Sequence, residues 1–235
     1  MSEVTIDAAD GGRFSAYLAK PPQTLPGSLV PGIVVVQEIF GVNHVMRELC
    51  DGFAAQGYLA VCPDLFWRQE PGVQLTDKSP EEWNRAFALM NGMDQTKAVE
   101  DLTTTLSWLR QQPECSGRVG TVGYCLGGRL AFMIATRSAA DANVSYYGVG
   151  LDSLLGELGA ITKPLLMHVA EQDKFVPPEA RERIIAAVPD NPHVTLHVYP
   201  GVNHAFARVG GEHWDKDAAD LANQRTAAFF RQHLG

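Results

Sequence analysis

The chain has 235 residues, of which 46% are hydrophobic and 20% charged, and its net charge is −8. A chain of this size buries a sizeable core without disulfides or metals, and this composition excludes disorder. The acidic balance argues against a nucleic-acid or anionic-membrane surface, so neither partner is expected, and no obligate protein partner is evident.

The first twelve residues are acidic and polar, without the basic start and apolar run of a secretory signal. Residues 4–6 and 14–18, split by Asp10-Gly11-Gly12, read as an antiparallel hairpin. Residues 25–31 carry two prolines and a glycine and read as a turn. Short apolar runs at 33–36, 59–62, 119–122, 144–147, 165–169 and 194–199 then read as strands. Most of these runs are nearly continuous, as in strands covered on both faces. Between them, 45–56, 81–90, 96–111, 126–137, 178–188 and 217–233 read as helices. Pro80 and Pro178 sit where a helix begins, and Gly57 lies just past one end. This alternation predicts a single α/β domain over residues 1–235, with a mostly parallel sheet and helices on both faces. Sites in such sheets lie beyond the carboxyl ends of the strands. No stretch is long and apolar enough to span a bilayer.

Cys50, Cys62, Cys115 and Cys125 form no Cys-x-x-Cys pair and suggest neither a disulfide framework nor a metal site. A reducing cytoplasm is the simplest setting. Cys50 and Cys62 fall in a predicted helix and strand and read as buried packing, whereas Cys115 falls in a turn after Pro113. Cys125 differs. The strand at 119–122 leads into Gly123-Tyr124-Cys125-Leu126-Gly127-Gly128 and then a helix. This is the nucleophile-elbow pattern Gly-x-Ser-x-Gly with cysteine in place of serine. The tight strand-to-helix turn strains the nucleophile's backbone and leaves no room for side chains beside it. The following helix N-terminus favours a thiolate. The plain alternative is a small buried hydrophobe.

Asp173 follows the strand at 165–169, and His204 follows the strand at 194–199. The order nucleophile, acid, histidine is that of α/β-hydrolases, and each residue sits past a strand's carboxyl end. In that arrangement His204 takes the thiol proton and the acid orients the imidazole. Asp152, after the strand at 144–147, competes as the acid. Asp64 reads as a turn residue, His168 as a packed core histidine, and the other histidines as surface or capping residues.

The segments Gln37-Glu38-Ile39-Phe40-Gly41-Val42-Asn43, Cys62-Pro63-Asp64-Leu65, Val122-Gly123-Tyr124-Cys125-Leu126-Gly127-Gly128, Tyr146-Tyr147-Gly148-Val149-Gly150, Gln172-Asp173-Lys174-Phe175-Val176-Pro177 and His204-Ala205-Phe206-Ala207-Arg208 together resemble the dienelactone hydrolases (carboxymethylenebutenolidases) over nearly the whole chain. The resemblance implies an α/β-hydrolase fold without a large lid and hydrolysis of an unsaturated, carboxylate-bearing lactone to maleylacetate. Such a reaction belongs to the breakdown of chlorinated aromatics. The resemblance also implies a Cys125–His204–Asp173 triad, favouring Asp173 over Asp152.

It further implies that Glu38 contacts the thiol and helps remove its proton once substrate binds. An ordinary thiol is only a few per cent thiolate at about pH 7, so a second base is chemically reasonable. The backbone N–H groups of Leu126 and Ile39 are the expected oxyanion hole. Arg208 matches an arginine that grips the substrate carboxylate, a task suited to a guanidinium. A second such arginine is expected on the helix at 81–90, but Trp83 stands there. Arg85 is two residues on, about 200° around the helix. Phe40 and Tyr147 complete the expected substrate-binding set with Trp83 and Arg85. No metal or organic cofactor is implied. An esterase or thioesterase for another small acyl substrate is the alternative within the enzyme class. A ligand-binding or redox-sensing protein is the alternative outside it.

Overall fold

The computed structural model describes residues 2–22 and 27–235, and the chain divides into two compact units, Met1–Thr121 and Val122–Gly235.

In the first unit, β1 (Ser2–Asp7) and β2 (Arg13–Ala19) form the expected antiparallel hairpin, with Gly11 and Gly12 at φ 90 and 92 in its turn. β2 continues antiparallel onto β4 (Leu59–Pro63), and β3 (Val30–Val36) pairs parallel with β4. β5 (Cys115–Tyr124) lies next to β3, giving the order β1-β2-β4-β3-β5. Every residue of β4, and every residue of β3 from Gly32 on, is buried. Unbroken burial means both faces are covered, which explains runs without alternation. The helices are α1 (His44–Ala55), α2 (Pro80–Gly92) and α3 (Gln95–Arg110). Each starts on a side-chain cap: Asn43 accepts from Met46 N, Ser79 from Glu82 N, and Asp94 from Thr96 N and Lys97 N.

Two expectations are corrected here. Leu25 and Pro26 of the predicted turn lie outside the described residues, but its last residues, Val30 and Pro31, already belong to β3. Val30 N donates to Glu114 O at 2.9 Å, and Gly32 lets α3 approach, since a Cβ there would lie 2.7 Å from Leu109 Cδ2. Proline and glycine signalled a break, and the tertiary contact overrode them. Likewise, Cys115 is the buried first residue of β5 and does not sit in a turn. Cys50 and Cys62 are fully buried, as expected.

The second unit contains α4 (Leu126–Arg137), β6 (Asn143–Tyr146), β7 (Leu165–Ala170), α5 (Pro178–Ala187), β8 (Val194–Tyr199) and α6 (Lys216–Leu234). β6, β7 and β8 run parallel, with Tyr146 beside His168 and His168 beside His197. The predicted strand at 144–147 ends one residue early, because Tyr147 turns to φ 38. A 3-10 run over Leu151–Ala160, which the sequence did not reveal, buries Leu151, Leu154 and Leu158. Its two glycines, Gly156 and Gly159, and Gly150 just before it disguised it as a loop.

The unit's core holds a polar chain around His168. His168 Nδ1 lies 2.8 Å from Tyr199 Oη and Nε2 lies 2.9 Å from Thr226 Oγ1. Thr226 in turn lies 2.7 Å from Tyr146 Oη, whose O–H donates to Asn223 Oδ1 at 3.0 Å. One proton order satisfies every group: Tyr199 donates to a neutral His168, which donates to Thr226, which donates to Tyr146. Burial, and then the charges of His197 and Arg225, push His168 well below the usual histidine range, consistent with that neutral form. The network ties β6, β7 and β8 to α6, the role of a packed core histidine.

Candidate active site

Cys125 joins the end of β5 to the start of α4 at φ 57 and ψ −115, a left-handed conformation that a side-chain-bearing residue adopts only when its surroundings enforce it. The surroundings are backbone. A Cβ on Gly123 would lie 1.9 Å from Gly127 O, and one on Gly128 would lie 2.6 Å from Tyr146 O and 2.9 Å from Gly148 Cα. Gly123 and Gly128 are therefore steric necessities. Cys125 N donates to Tyr146 O at 3.1 Å, which pins the turn to the end of β6. No side chain caps α4 and its first turn carries no acidic residue, so the helix end presents its partial positive charge at the thiol.

Asp173 follows β7 and His204 follows β8, and both are buried. His204 Nδ1 donates to the Asp173 carboxylate, 2.8 Å from one oxygen and 3.0 Å from the other. Asp173 also accepts from Phe175 N at 2.8 Å, which orients the carboxylate from behind. On its other side, His204 Nε2 faces Cys125 and meets no partner at hydrogen-bonding distance among the described residues. Burial works against an imidazolium here. The negative charge of a Cys125 thiolate and the hydrogen bond to Asp173 outweigh it, so His204 is pushed up to about 10. The edges of Tyr147 and Phe175 pack on the imidazole at ring separations of 5.1 and 4.8 Å. Phe175 was not singled out from the sequence, although its place two residues after Asp173 was the available signal.

The acid and histidine segments are joined along their length. Glu171 N donates to Tyr199 O at 3.0 Å and Gln172 N to Val202 O at 2.9 Å. Asn203 Oδ1 accepts from Lys174 N at 3.0 Å and from His204 N at 2.7 Å. The competing acid lies elsewhere. Asp152 sits in the 3-10 run and pairs with Arg183 at 2.5 Å. Past His204 the chain turns at Ala205, with φ 61, and Arg208 N closes onto Ala205 O at 3.0 Å. Arg208 is half-buried in this turn.

In the first unit, the segment after β3 is also fixed by its neighbours. Gln37 Oε1 accepts from Leu65 N at 3.0 Å, and Leu75 N donates to Phe40 O at 2.9 Å. Gly41 has φ 76, and a Cβ there would lie 2.0 Å from Val73 O. Ile39 and Phe40 are buried between these anchors, and Glu38 is 2% exposed, with both carboxylate oxygens withdrawn from solvent. Asp64 proves to be the expected turn residue, accepting from Phe66 N and Gly72 N at 3.0 and 2.7 Å.

Trp83 and Arg85 leave α2 in different directions. Trp83 donates through Nε1 to Asp77 O at 3.1 Å and meets Phe40 edge-on, with ring centres 5.0 Å apart. Phe87 lies 5.5 Å from the same indole. Arg85 is exposed and pairs with Glu70. Among the described residues no cluster of three or more His, Cys, Asp or Glu side chains could hold a metal ion, and no helix is long and apolar enough to cross a membrane.

Comparison with known proteins gives the chain a family. The model of the dienelactone hydrolase family matches residues 14–234. A protein of Azospirillum brasilense, provisionally named a carboxymethylenebutenolidase, is 64% identical over 245 residues, covering 100% of both chains. Carboxymethylenebutenolidase 1 of Cupriavidus pinatubonensis is 41% identical over 223 residues, covering 95% of this chain and 93% of its own. Among solved structures, a provisionally named dienelactone hydrolase from Klebsiella pneumoniae superposes with a TM-score of 0.84 at 27% identity, over 99% of this chain and 100% of that one. The chain therefore belongs to the dienelactone hydrolase family, and is a hydrolase of the α/β-hydrolase fold.

Proposed function

We propose that the protein hydrolyses a small unsaturated lactone bearing a carboxylate, of the dienelactone-to-maleylacetate type, through an acyl-enzyme on Cys125. The observation that carries this reading is the buried relay in which Asp173 holds Nδ1 of His204 while Nε2 faces the thiol. The Cys125 thiolate adds to the lactone carbonyl, and the developing oxyanion is held by the N–H groups of Leu126 and Ile39. The ring C–O bond breaks, and the leaving enolate, still tethered to the acyl group, takes its proton from the His204 imidazolium. Neutral His204 then removes a proton from water, whose oxygen attacks the thioester and releases the carboxylate and the thiolate. Glu38 assists in removing the thiol proton, and Arg208 binds the substrate carboxylate. Residues 1–235 act as a single hydrolase domain, without a metal or organic cofactor, in a reducing cytoplasm and within a route that degrades aromatics.

The decisive experiment is steady-state kinetics on dienelactones, with mass spectrometry of the quenched reaction. We expect turnover and an acyl adduct on Cys125. Cys125→Ala should abolish both while keeping its thermal melt, and Asp173→Asn should lose far more kcat than Asp152→Asn. Glu38→Gln should lower kcat with little change in the melt. A folded Cys125→Ala protein that still turns over sinks the nucleophile. One observation favours a second reading, an esterase or thioesterase for a neutral acyl substrate. Trp83, packed between Phe40 and Phe87, stands where a second carboxylate-binding arginine is expected. Higher kcat/KM on p-nitrophenyl acetate than on any acidic lactone would select it.

A further inference from the structure

Asn203 stands between the acid and the histidine without belonging to the triad. Two backbone N–H groups converge on its Oδ1, one from Lys174, the residue after Asp173, and one from His204 itself. An amide nitrogen cannot accept, so the two donors fix which way the side chain faces. The other bonds that join these segments lie further from the relay. Glu171 N and Gln172 N reach Tyr199 O and Val202 O, and the Glu171 carboxylate accepts from Gly201 N at 2.8 Å. Of these contacts, only the Asn203 oxygen bonds both to His204 and to the residue adjoining Asp173. It therefore sets the separation across which Asp173 and His204 must meet.

We propose that Asn203 is a positioning residue that holds the acid and the base in register, acting through Asp173 and His204 and not on the substrate. The inference rests on the proposed triad. Both oxygens of Asp173 already lie within hydrogen-bonding reach of Nδ1, so a small shift of the turn at Lys174 changes the strength of that bond and the tilt of the imidazole. Misplacing a reacting group by about 1 Å costs roughly a hundredfold in rate. Removing one anchor of two converging segments should cost part of that. Asn203→Ala deletes the acceptor, whereas Asn203→Asp keeps an oxygen in the same place and accepts both N–H groups at least as well.

The test has two readouts on the full-length protein. The first is kinetic. Asn203→Ala should lower kcat by about ten- to a hundredfold while KM stays within about twofold, and Asn203→Asp should restore most of the loss. The second needs no substrate. An NMR titration of the His204 imidazole should show it losing its proton at lower pH in Asn203→Ala than in wild type or Asn203→Asp, because the Asp173 bond has loosened. If Asn203→Ala melts lower but keeps wild-type kcat and His204 titration, Asn203 is only a loop brace and the proposal is overturned. If no lactone or ester is turned over by wild type yet the titration shifts as expected, the positioning role stands and the reaction assigned above fails instead.

Discussion

His204 is the residue at which fold and chemistry compete most openly. Burial alone would keep it neutral, yet the thiolate of Cys125 and the carboxylate of Asp173 hold it protonated up to about 10. That has a consequence for stability. A histidine whose folded value is raised binds protons more tightly folded than unfolded, so folding gains from it in full below its ordinary value of about 6.5. The gain is lost as pH climbs through about 10. Wild type should therefore lose several degrees of melting temperature between about pH 6.5 and pH 10 that His204→Gln does not lose. Parallel melts across that range check it, and identical slopes would show that the relay adds nothing to folding. Which carboxylate serves His204 was not decidable from residue types alone. Asp152 and Asp173 both follow a strand, and only the closing of the loops puts Asp173 on the imidazole and Asp152 on Arg183.

Glycines at the elbow act at the scale of the element, since each lets one piece of backbone cross another. Gly123→Ala forces a Cβ to within 1.9 Å of Gly127 O, and neither backbone can yield without moving the strand or the helix. We expect a loss of about 3 kcal/mol or more, or an insoluble protein. Gly156→Ala is the control. It lies in the 3-10 run with nothing within 4 Å of the added carbon, and should be neutral or stabilising by about 0.5 kcal/mol. Chemical denaturation of both variants measures the contrast. The same scale shows why the sequence was readable in one place and opaque in another. The continuous apolar runs of β3, β4 and β7 betray strands covered on both faces, and the elbow motif betrays its own turn. Val30 and Pro31 joined β3 against their local signals because of a partner 84 residues away in Glu114, a contact no local pattern reports. The 3-10 run hid behind glycines, and the Asn203 clamp depends on two loops meeting.

At the scale of the whole molecule, an acidic chain of net charge −8 is proposed to take an acidic substrate, so local contacts must overcome a repulsive field. A charge-assisted hydrogen bond is worth roughly 1.5–3 kcal/mol, or about ten- to a hundredfold in kcat/KM. Arg208→Ala should therefore lower kcat/KM by about that factor on a dienelactone and much less on a neutral ester. Trp83→Arg should move the acidic substrate the other way. The acidic-to-neutral selectivity ratio decides: if Arg208→Ala leaves it unchanged, the substrate is not a carboxylate, whether or not the proposed triad holds. The loops that carry Asp173 and His204 have one more consequence, visible in deuterium exchange. Loop amides ordinarily exchange fast, but those of Glu171, Gln172 and Lys174 are donated to acceptors across the two segments, and that of His204 is held by Asn203 Oδ1 beside it. They should stay protonated nearly as long as the amides of β7 and β8, and an active-site inhibitor should add little further protection, because the constellation is assembled before anything binds.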